Sequence, residues 1–391
     1  MALIGLASLA RMAFSGADLA PIGAQLLARA AEDPQDADAL MDMSAVLHLR
    51  GNRDLGLALQ AQALDLRQVY RVGTGEGLKV LVLVSPGDLA ENNVLEFLLE
   101  ESSVTLEMLY VSIDLPLPSP LPEHDLAFVA VCETDLNRPL LRHLEGVLAH
   151  WPHPVLNRPG RIARLSRDGA CAVLGAVPGA YIPTTVRVDR TALARIGEGA
   201  SIKAFFGGGY PVIARPVDSH KGQGLARLED PASVLDYLVD RPETFFYLSP
   251  FVDYQCADGQ YRKYRIVFIE GRPYACHMAI SSNWMVHYMN AGMAASATKR
   301  AEEQRFMEDF DIHFALRHRE ALAALSDRLG LEYVGIDCGE TPDGKLLIFE
   351  VDSGMTVHAM DGVDVFPYKQ VQMKKVFRAF REMLEARLSR P

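Results

Sequence analysis

The sequence predicts an α/β (α+β) protein that opens with an all-helical segment. Three observations predict this class. Leu and Ala recur at helical spacing through residues 1–70. Strand-like and helix-like runs alternate between residues 78 and 150, the pattern of a small parallel sheet. Further on, apolar runs flank Asp-Gly and glycine-rich turns, the mark of hairpins. Composition agrees. The 391 residues are 49% hydrophobic and 23% charged, which excludes a disordered or collagen-like chain and predicts two or three domains. With 39 basic and 50 acidic residues the formal charge is −11, a poor balance for general nucleic-acid binding. Whether such a chain still holds a local anion site is the question its motifs must answer.

The five cysteines, at 132, 171, 256, 276 and 338, are scattered and form no CxxC pair. They read as reduced thiols, without a zinc site or a disulfide framework. The longest apolar runs, such as Leu78–Val84, fall short of the roughly 18 residues of a membrane helix. The start, MALIGLASLARMAFSG, imitates a signal sequence but lacks a basic beginning and is interrupted by Arg11. It reads as a packed amphipathic helix. These features predict a soluble, cytoplasmic protein with no membrane partner.

In the first segment, Asp36–Leu49, the break Gly51-Asn52-Arg53-Asp54, and Leu55–Tyr70 read as helix, turn, helix. With Pro34, Leu40, Gly51 and Ala63 at matching places, this resembles one tetratricopeptide repeat. One repeat cannot close its own core, since about three are needed. A helical hairpin packed on the next domain is therefore preferred to a peptide-binding array. Residues 73–77, Gly-Thr-Gly-Glu-Gly, read as a linker. Beyond it, Lys79–Val84, Thr105–Val111 and Leu126–Val131 read as strands, and Asn92–Glu101 and Pro139–His150 as helices. Residues 116–122 form a stiff, proline-rich connection. Neither GxGxxG nor GxxxxGK[ST] is present, and GxSxG and HExxH are absent as well.

The most informative segment is Tyr333–Asp352, YVGIDCGETPDGKLLIFEVD. Asp343-Gly344 between two strand-like runs predicts a hairpin. If the turn is centred there, paired positions sum to 687, so Asp337 lies opposite Glu350 and Asp352 opposite Gly335. Asp352 is two residues beyond Glu350 and shares its face. Three carboxylates on one face of an otherwise apolar hairpin repel one another unless a cation sits among them. All-oxygen ligation suits Mg²⁺ or Mn²⁺ with nucleotide phosphates. The alternative is a solvated outer face.

Pro211–Arg215 reads as a strand, 216–224 as a glycine-rich loop, and Leu225–Leu228 as a return strand. Ser219, Gly222 and Gly224 can offer backbone N–H groups to phosphate, and Arg215 and Lys221 add charge. A flexible turn is the plainer reading of that loop alone. Gln260–Ile269 is a strand whose beginning carries Arg262, Lys263 and Arg265, with Lys263 and Arg265 on one face. A lone His277 or His287 is more often structural than catalytic.

Taken together, residues 78–385 resemble the ATP-grasp superfamily of carboxylate–amine ligases, with the motif-rich part at 180–360. The resemblance implies a small parallel-sheet domain before two antiparallel-sheet subdomains with ATP between them. It divides the chain into 1–72, 78–180 and 181–391. The family's metal ligands, an Asp followed after thirteen residues by Glu-x-Asn, match Asp337, Glu350 and Asp352, with Asp for the final Asn. Lys203 resembles the first nucleotide-binding lysine. Arg215 stands where the second lysine usually does, and its geometry toward phosphate differs from that of lysine. Residues 219–224 resemble the phosphate-covering loop. Tyr247-Leu-Ser-Pro-Phe-Val252 resembles the adenine hinge, with Ser249, Phe251 and Val252 at the base and Ser249 in place of an acid. Arg265 resembles the Arg that contacts phosphate or acyl phosphate, and Lys263 lies beside it. Asn157-Arg-Pro and Ile182-Pro-Thr-Thr185 resemble the connections into this region. Tyr288-Met-Asn-Ala-Gly292 resembles an Asn-x-x-Gly stretch of ribosomal-protein glutamate ligases and glutathione synthetases. After Asp352, residues 353–358 depart from the family's proline-containing substrate loop.

The implied activity is ATP- and Mg²⁺- (or Mn²⁺-) dependent joining of a carboxylate to an amine, on amino acids or peptides. Arg215 and Arg265 would act on the transferring charge. The alternatives are a degenerate nucleotide-binding adaptor and an ATP-grasp kinase. The helical start could recruit a peptide or carrier protein, or be structural. The sequence leaves the oligomeric state and both substrates open.

Overall fold

A computed structural model describes residues 3–73, 75–219 and 222–388. The chain divides into two compact units. One holds residues 1–163, 331–333 and 353–391, and the other holds 164–330 and 334–352. This cuts the chain differently from a linear partition at 72 and 180. The C-terminal residues return to the first unit, and the helical start belongs to it.

The first unit begins with helices α1 (Leu6–Phe14), α2 (Ala20–Glu32), α3 (Ala37–Leu49) and α4 (Arg53–Leu66). Helix α3 starts where Asp36 accepts the Ala39 N–H, an N-cap that satisfies a free donor of the first turn. Leu9, Leu19, Leu26, Ala39 and Val46 close a core among α1, α2 and α3. Ala37, Met41 and Ala63 pack with Tyr70, Met108 and Tyr110 of the sheet strands, so the α3–α4 pair is covered by sheet on one side and by α1 and α2 on the other.

The sequence placed residue 70 in a helix, but Val69–Val72 is strand β1. Tyr70, in the run Val69-Tyr-Arg-Val72, is fully buried and its hydroxyl donates to the Ala63 carbonyl. With β2 (Lys79–Val84), β3 (Thr105–Tyr110), β4 (Leu126–Val129) and β5 (Val155–Leu156) it forms a five-stranded sheet, order β1-β3-β2-β4-β5. Only β1 runs antiparallel. The segment expected to be a linker joins two strands of this one sheet. A Cβ on Gly77 would stand 1.9 Å from the Ser103 carbonyl oxygen, so glycine is required there by close approach. Thr74 lies outside the described residues. The helix expected over 92–101 is one turn, α5 (Leu95–Leu98). It is followed by α6 (Arg138–Leu148) and α7 (Pro159–Ile162).

The second unit contains α8 (Arg167–Leu174), β6 (Ala180–Tyr181), β7 (Val186–Asp189), α9 (Arg190–Gly197), α10 (Lys203–Phe206), β8 (Val212–Pro216) and β9 (Ala226–Leu228). Then come α11 (Pro231–Val239), β10 (Phe245–Pro250), β11 (Tyr261–Ile269) and β12 (Arg272–Ser281). It ends with α12 (Ala297–Glu308), α13 (Phe314–Arg317), α14 (Arg319–Leu329), β13 (Tyr333–Glu340) and β14 (Leu346–Asp352). Two sheets result, ordered β7-β10-β8-β9 and β12-β11-β13-β14-β6. The first is antiparallel; in the second, β11–β12 and β13–β14 pair antiparallel and β6 pairs parallel to β14. The expected small parallel sheet and two antiparallel-sheet subdomains are therefore present. The last helix, α15 (Pro367–Ala386), lies in the first unit, where Phe380 packs against Phe128 and Tyr333. Among the described residues, no helix is long and apolar enough to cross a membrane, and all five cysteines are free.

Candidate functional site

In the second unit, strand alternation decides which side chains can form a site. Val212, Ala214, Phe246 and Leu248 turn toward α9 and α11, packing with Leu193, Ile196, Val234 and Leu238. The alternate positions, Ile213, Arg215, Tyr247 and Ser249, therefore share the other face. In the larger sheet Tyr264 turns to Phe306 and Phe314, and Arg262 pairs with Glu302 of α12. Lys263 and Arg265 are left on the opposite face, toward Asp337.

The hairpin places Asp337 opposite Glu350 and Gly335 opposite Asp352, in the expected register. The route to that register differs from expectation. The loop holds three residues, Pro342, Asp343 and Gly344, closed by Gly344 N–H to the Thr341 carbonyl (2.8 Å) and Thr341 N–H to the Lys345 carbonyl (2.9 Å). Gly344 sits at φ +80°, the left-handed position of a three-residue hairpin loop. Near the turn the pairs are Glu340–Leu346 and Cys338–Ile348, one step off the two-residue register. A bulge between Asp337 and Cys338 restores the step.

Asp337 is 1% exposed and both of its oxygens are paired. Arg265 donates Nε to Oδ1 (2.8 Å) and a terminal nitrogen to Oδ2 (3.0 Å), and Lys263 Nζ lies 2.7 Å from Oδ2. Burial works to raise the Asp337 pKa, but the two cations outweigh it and hold the carboxyl far below the usual range. Glu350 receives Arg167 at 2.5 Å, and the same guanidinium donates to the Phe349 carbonyl (3.0 Å). Against burial, Arg167 and Arg215 lower the Glu350 pKa. Arg215 is 9% exposed, and burial, with Arg167 adding repulsion, brings it down to about 9. It stays charged at neutral pH. Its guanidinium folds back on Ser219 at the foot of the glycine-rich loop, reaching Oγ at 3.1–3.2 Å and also the carbonyl.

Four cations, Arg167, Arg215, Lys263 and Arg265, thus converge on the buried Asp337 and the half-buried Glu350. This is the local basic focus that an anionic ligand needs. Among the described residues, no group of three or more His, Cys, Asp or Glu side chains is gathered to hold a metal ion. The three acids expected to cluster are thus not gathered into one such group, although the register sets Asp337 opposite Glu350. The donor chemistry still fits a hard divalent ion. Asp337 and Glu350 are opposed, all-oxygen, and neutralised by side chains long enough to move away.

The other expected residues are placed as follows. Ser249, Phe251 and Val252 follow one another along β10 and its end, where the Phe251 N–H donates to the Pro211 carbonyl (3.1 Å). Gly222 and Gly224 lie in the glycine-rich loop, and the Gly224 carbonyl accepts from Tyr237 (2.7 Å). Lys203 is exposed on the one-turn helix α10. Lys221 lies outside the described residues. Sequence reasoning missed Arg167. Its nearest signal is Ser166, which caps α8 through the Gly169 N–H (3.2 Å), and that marks only the start of a helix.

No family model matches the chain, and no curated protein matches it. Solved structures do. The chain is similar to a RimK-domain ATP-grasp protein from Sphaerobacter thermophilus, at 18% identity over 80% of this chain and 100% of that one, with a TM-score of 0.44. It is similar to a D-alanine–D-alanine ligase from Bacillus anthracis complexed with ATP, at 12% identity over 81% and 100%, with a TM-score of 0.47. It is also similar to the VanG D-Ala:D-Ser ligase from Enterococcus faecalis, at 13% identity over 79% and 100%, with a TM-score of 0.45.

Proposed function

We propose that the chain is an ATP-dependent carboxylate–amine ligase of the ATP-grasp kind. The observation that carries this reading is the convergence of Arg167, Arg215, Lys263 and Arg265 on Asp337 and Glu350. Four cations against Asp337, Glu350 and the neighbouring Asp352 leave a surplus of positive charge at the site. Polyphosphate is the common ligand with enough negative charge to use it.

In the proposed reaction a substrate carboxylate oxygen attacks the γ-phosphorus of ATP, and ADP departs with the electrons of the broken P–O bond. An amine then attacks the acyl carbon. The C–N bond forms, phosphate leaves with the C–O electrons, and the amine proton passes to solvent. Arg215 is tied to Ser219, so it holds the phosphate-covering loop at its base and presents charge beneath it. Lys263 and Arg265 neutralise Asp337 in this state and can turn to incoming phosphate oxygens. Ser249, Phe251 and Val252 would offer the base the backbone at the end of β10, and Lys203 and Lys221 would add charge near the phosphates. Asp337, Glu350 and Asp352 would hold Mg²⁺ or Mn²⁺, which when bound shields the charge of the phosphates. Closing the glycine-rich loop would keep water from the acyl phosphate.

One observation favours a second reading, a nucleotide-binding body without turnover. The buried Asp337 carboxylate has both oxygens occupied by cations. A panel of acids and amines scored by ATP-dependent phosphate release separates the two. Phosphate release with a new amide mass is expected, and Glu350→Gln is expected to lower it at least about a hundredfold while the melting curve is retained. Wild-type activity in that variant would refute the Glu350 assignment. Absence of both turnover and a thermal shift with Mg-ATP would refute the ligase itself.

A further inference from the structure

The loop from Ser282 to Met293 leaves β12 and runs past each part of the proposed nucleotide site in turn. Trp284 packs edge-on against Phe251 of the hinge, with ring centroids 5.6 Å apart. The Met285 sulfur lies 3.8 Å from where a Cβ on Gly222 would stand, so it abuts the glycine-rich loop. Tyr288 packs against His277, centroids 4.6 Å apart, and His277 is the register partner of Arg265. One loop therefore touches the hinge, the phosphate loop and the strand pair that carries the cations.

What fixes this loop lies behind it, on α12. Glu303 is fully buried, which for a carboxylate demands partners. It accepts the Met278 N–H of the edge strand β12 (3.1 Å) and the Tyr288 hydroxyl (3.1 Å). Four residues earlier, Lys299 donates to the Ile280 carbonyl and to the Ala291 carbonyl, each at 2.7 Å. Helical i,i+4 spacing puts the two charged groups on one face, where each joins a point on β12 to a point on the loop. The hydroxyl of Tyr254 adds a third tie at the Trp284 carbonyl (2.6 Å). This costs one fully buried and one half-buried charged side chain, an arrangement a passive surface turn does not need.

We infer that residues 282–293 form a wall of the nucleotide site, and that Glu303 and Lys299 are positioning residues that set this wall through Tyr288 and Ala291. The inference rests on the ATP reading above and adds to it a contact surface, Trp284 with Met285, along the length of the nucleotide. Neither Glu303 nor Lys299 is placed to touch ligand. Their effect passes through the loop.

The chain carries two tryptophans, Trp151 and Trp284. In a Trp151→Phe background, Trp284 alone reports. The β,γ-imido analogue of ATP, with magnesium, is titrated while binding heat and Trp284 emission are both recorded. Binding is expected to quench or shift the emission. Tyr288→Phe, which removes one hydroxyl, is expected to weaken binding about fivefold, the worth of one hydrogen bond, and to blunt the emission change. Glu303→Gln can still accept from Met278 and meet the Tyr288 hydroxyl, so it is expected to stay within about twofold of the parent. That rescue separates positioning by hydrogen bonding from a need for charge. Binding heat with a silent Trp284, or parental affinity and emission in Tyr288→Phe, would overturn this inference alone. Absence of binding heat would overturn the ATP reading, and this inference with it.

Discussion

Asp42 and Glu96 in the first unit and Asp337 and Glu350 in the second are two pairs of acids neutralised in opposite ways. In the first unit Asp42 is 2% and Glu96 8% exposed, and their partners are backbone N–H groups at the start of α1. Asp42 accepts from Ile4 (2.8 Å) and Gly5 (3.2 Å), and Glu96 from Ala7 (2.9 Å). Burial, with Asp42 close by, pushes Glu96 up to about 7, and burial raises Asp42 as well. In the second unit Asp337 is as deeply buried, yet its partners are full charges and its pKa falls. Dipoles satisfy a buried carboxylate but do not cancel its charge, so it tends to keep its proton. Full cations cancel the charge, and the proton leaves. The first pair is therefore suited to anchoring a helix. The second holds cations that another anion can claim.

The comparison breaks most severely at Asp337. Asp337→Asn keeps the shape but leaves Lys263 and Arg265 without their counter-charge. A loss of about 3–5 kcal/mol in urea unfolding at neutral pH is expected. A loss below about 1 kcal/mol would mean that the cations find other partners without cost.

The pH dependence of Glu96 should run the other way. Its folded pKa lies above its ordinary value of 4.5, so between that value and about 7 the folded state binds more protons than the unfolded. Stability from this group is full below the ordinary pKa and is lost as pH rises toward 7. For Asp337 the depressed pKa gives stability that is present above the ordinary carboxylate range and lost as pH falls below it. Glu96→Gln removes the upper slope, and about 2 kcal/mol of relative gain at pH 8 over pH 5 is expected from paired melts. An unchanged slope would place the proton elsewhere.

The smallest expected effect concerns Arg167, which shares Glu350 with Arg215. Arg167→Met removes one cation of four, and about tenfold weaker ATP binding by calorimetry is expected, near 1.4 kcal/mol. The fold should persist, since Arg215 remains to face Glu350.

The carboxylate register was legible because alternation in a strand is rigid. Once Asp343-Gly344 marked the turn, Asp337 had to meet Glu350 within one step. The three-residue loop and the bulge each shift that step by one, and they cancel. Neither leaves a clear trace in residue types. Strand β1 was missed because Val-Tyr-Arg-Val follows a strong helical pattern, and only the neighbouring β3 makes it a strand. The five-residue glycine segment looked like a linker because glycine marks flexibility and close approach alike. At Gly77 the Ser103 carbonyl decides for close approach.

The sequence by itself determined the helical start, the alternation of strands and helices after it, the hairpin, and the register that sets Asp337 opposite Glu350. These follow from periodicity and turn chemistry, which act over a few residues. Only the tertiary structure decided which cations answer those acids. Arg167 is 183 positions from Glu350, and Arg265 is 72 from Asp337. Glu303 and Lys299 reached their loop only after α12 had packed along β12. Charge pairing depends on distance through space, and no local pattern of residues encodes it.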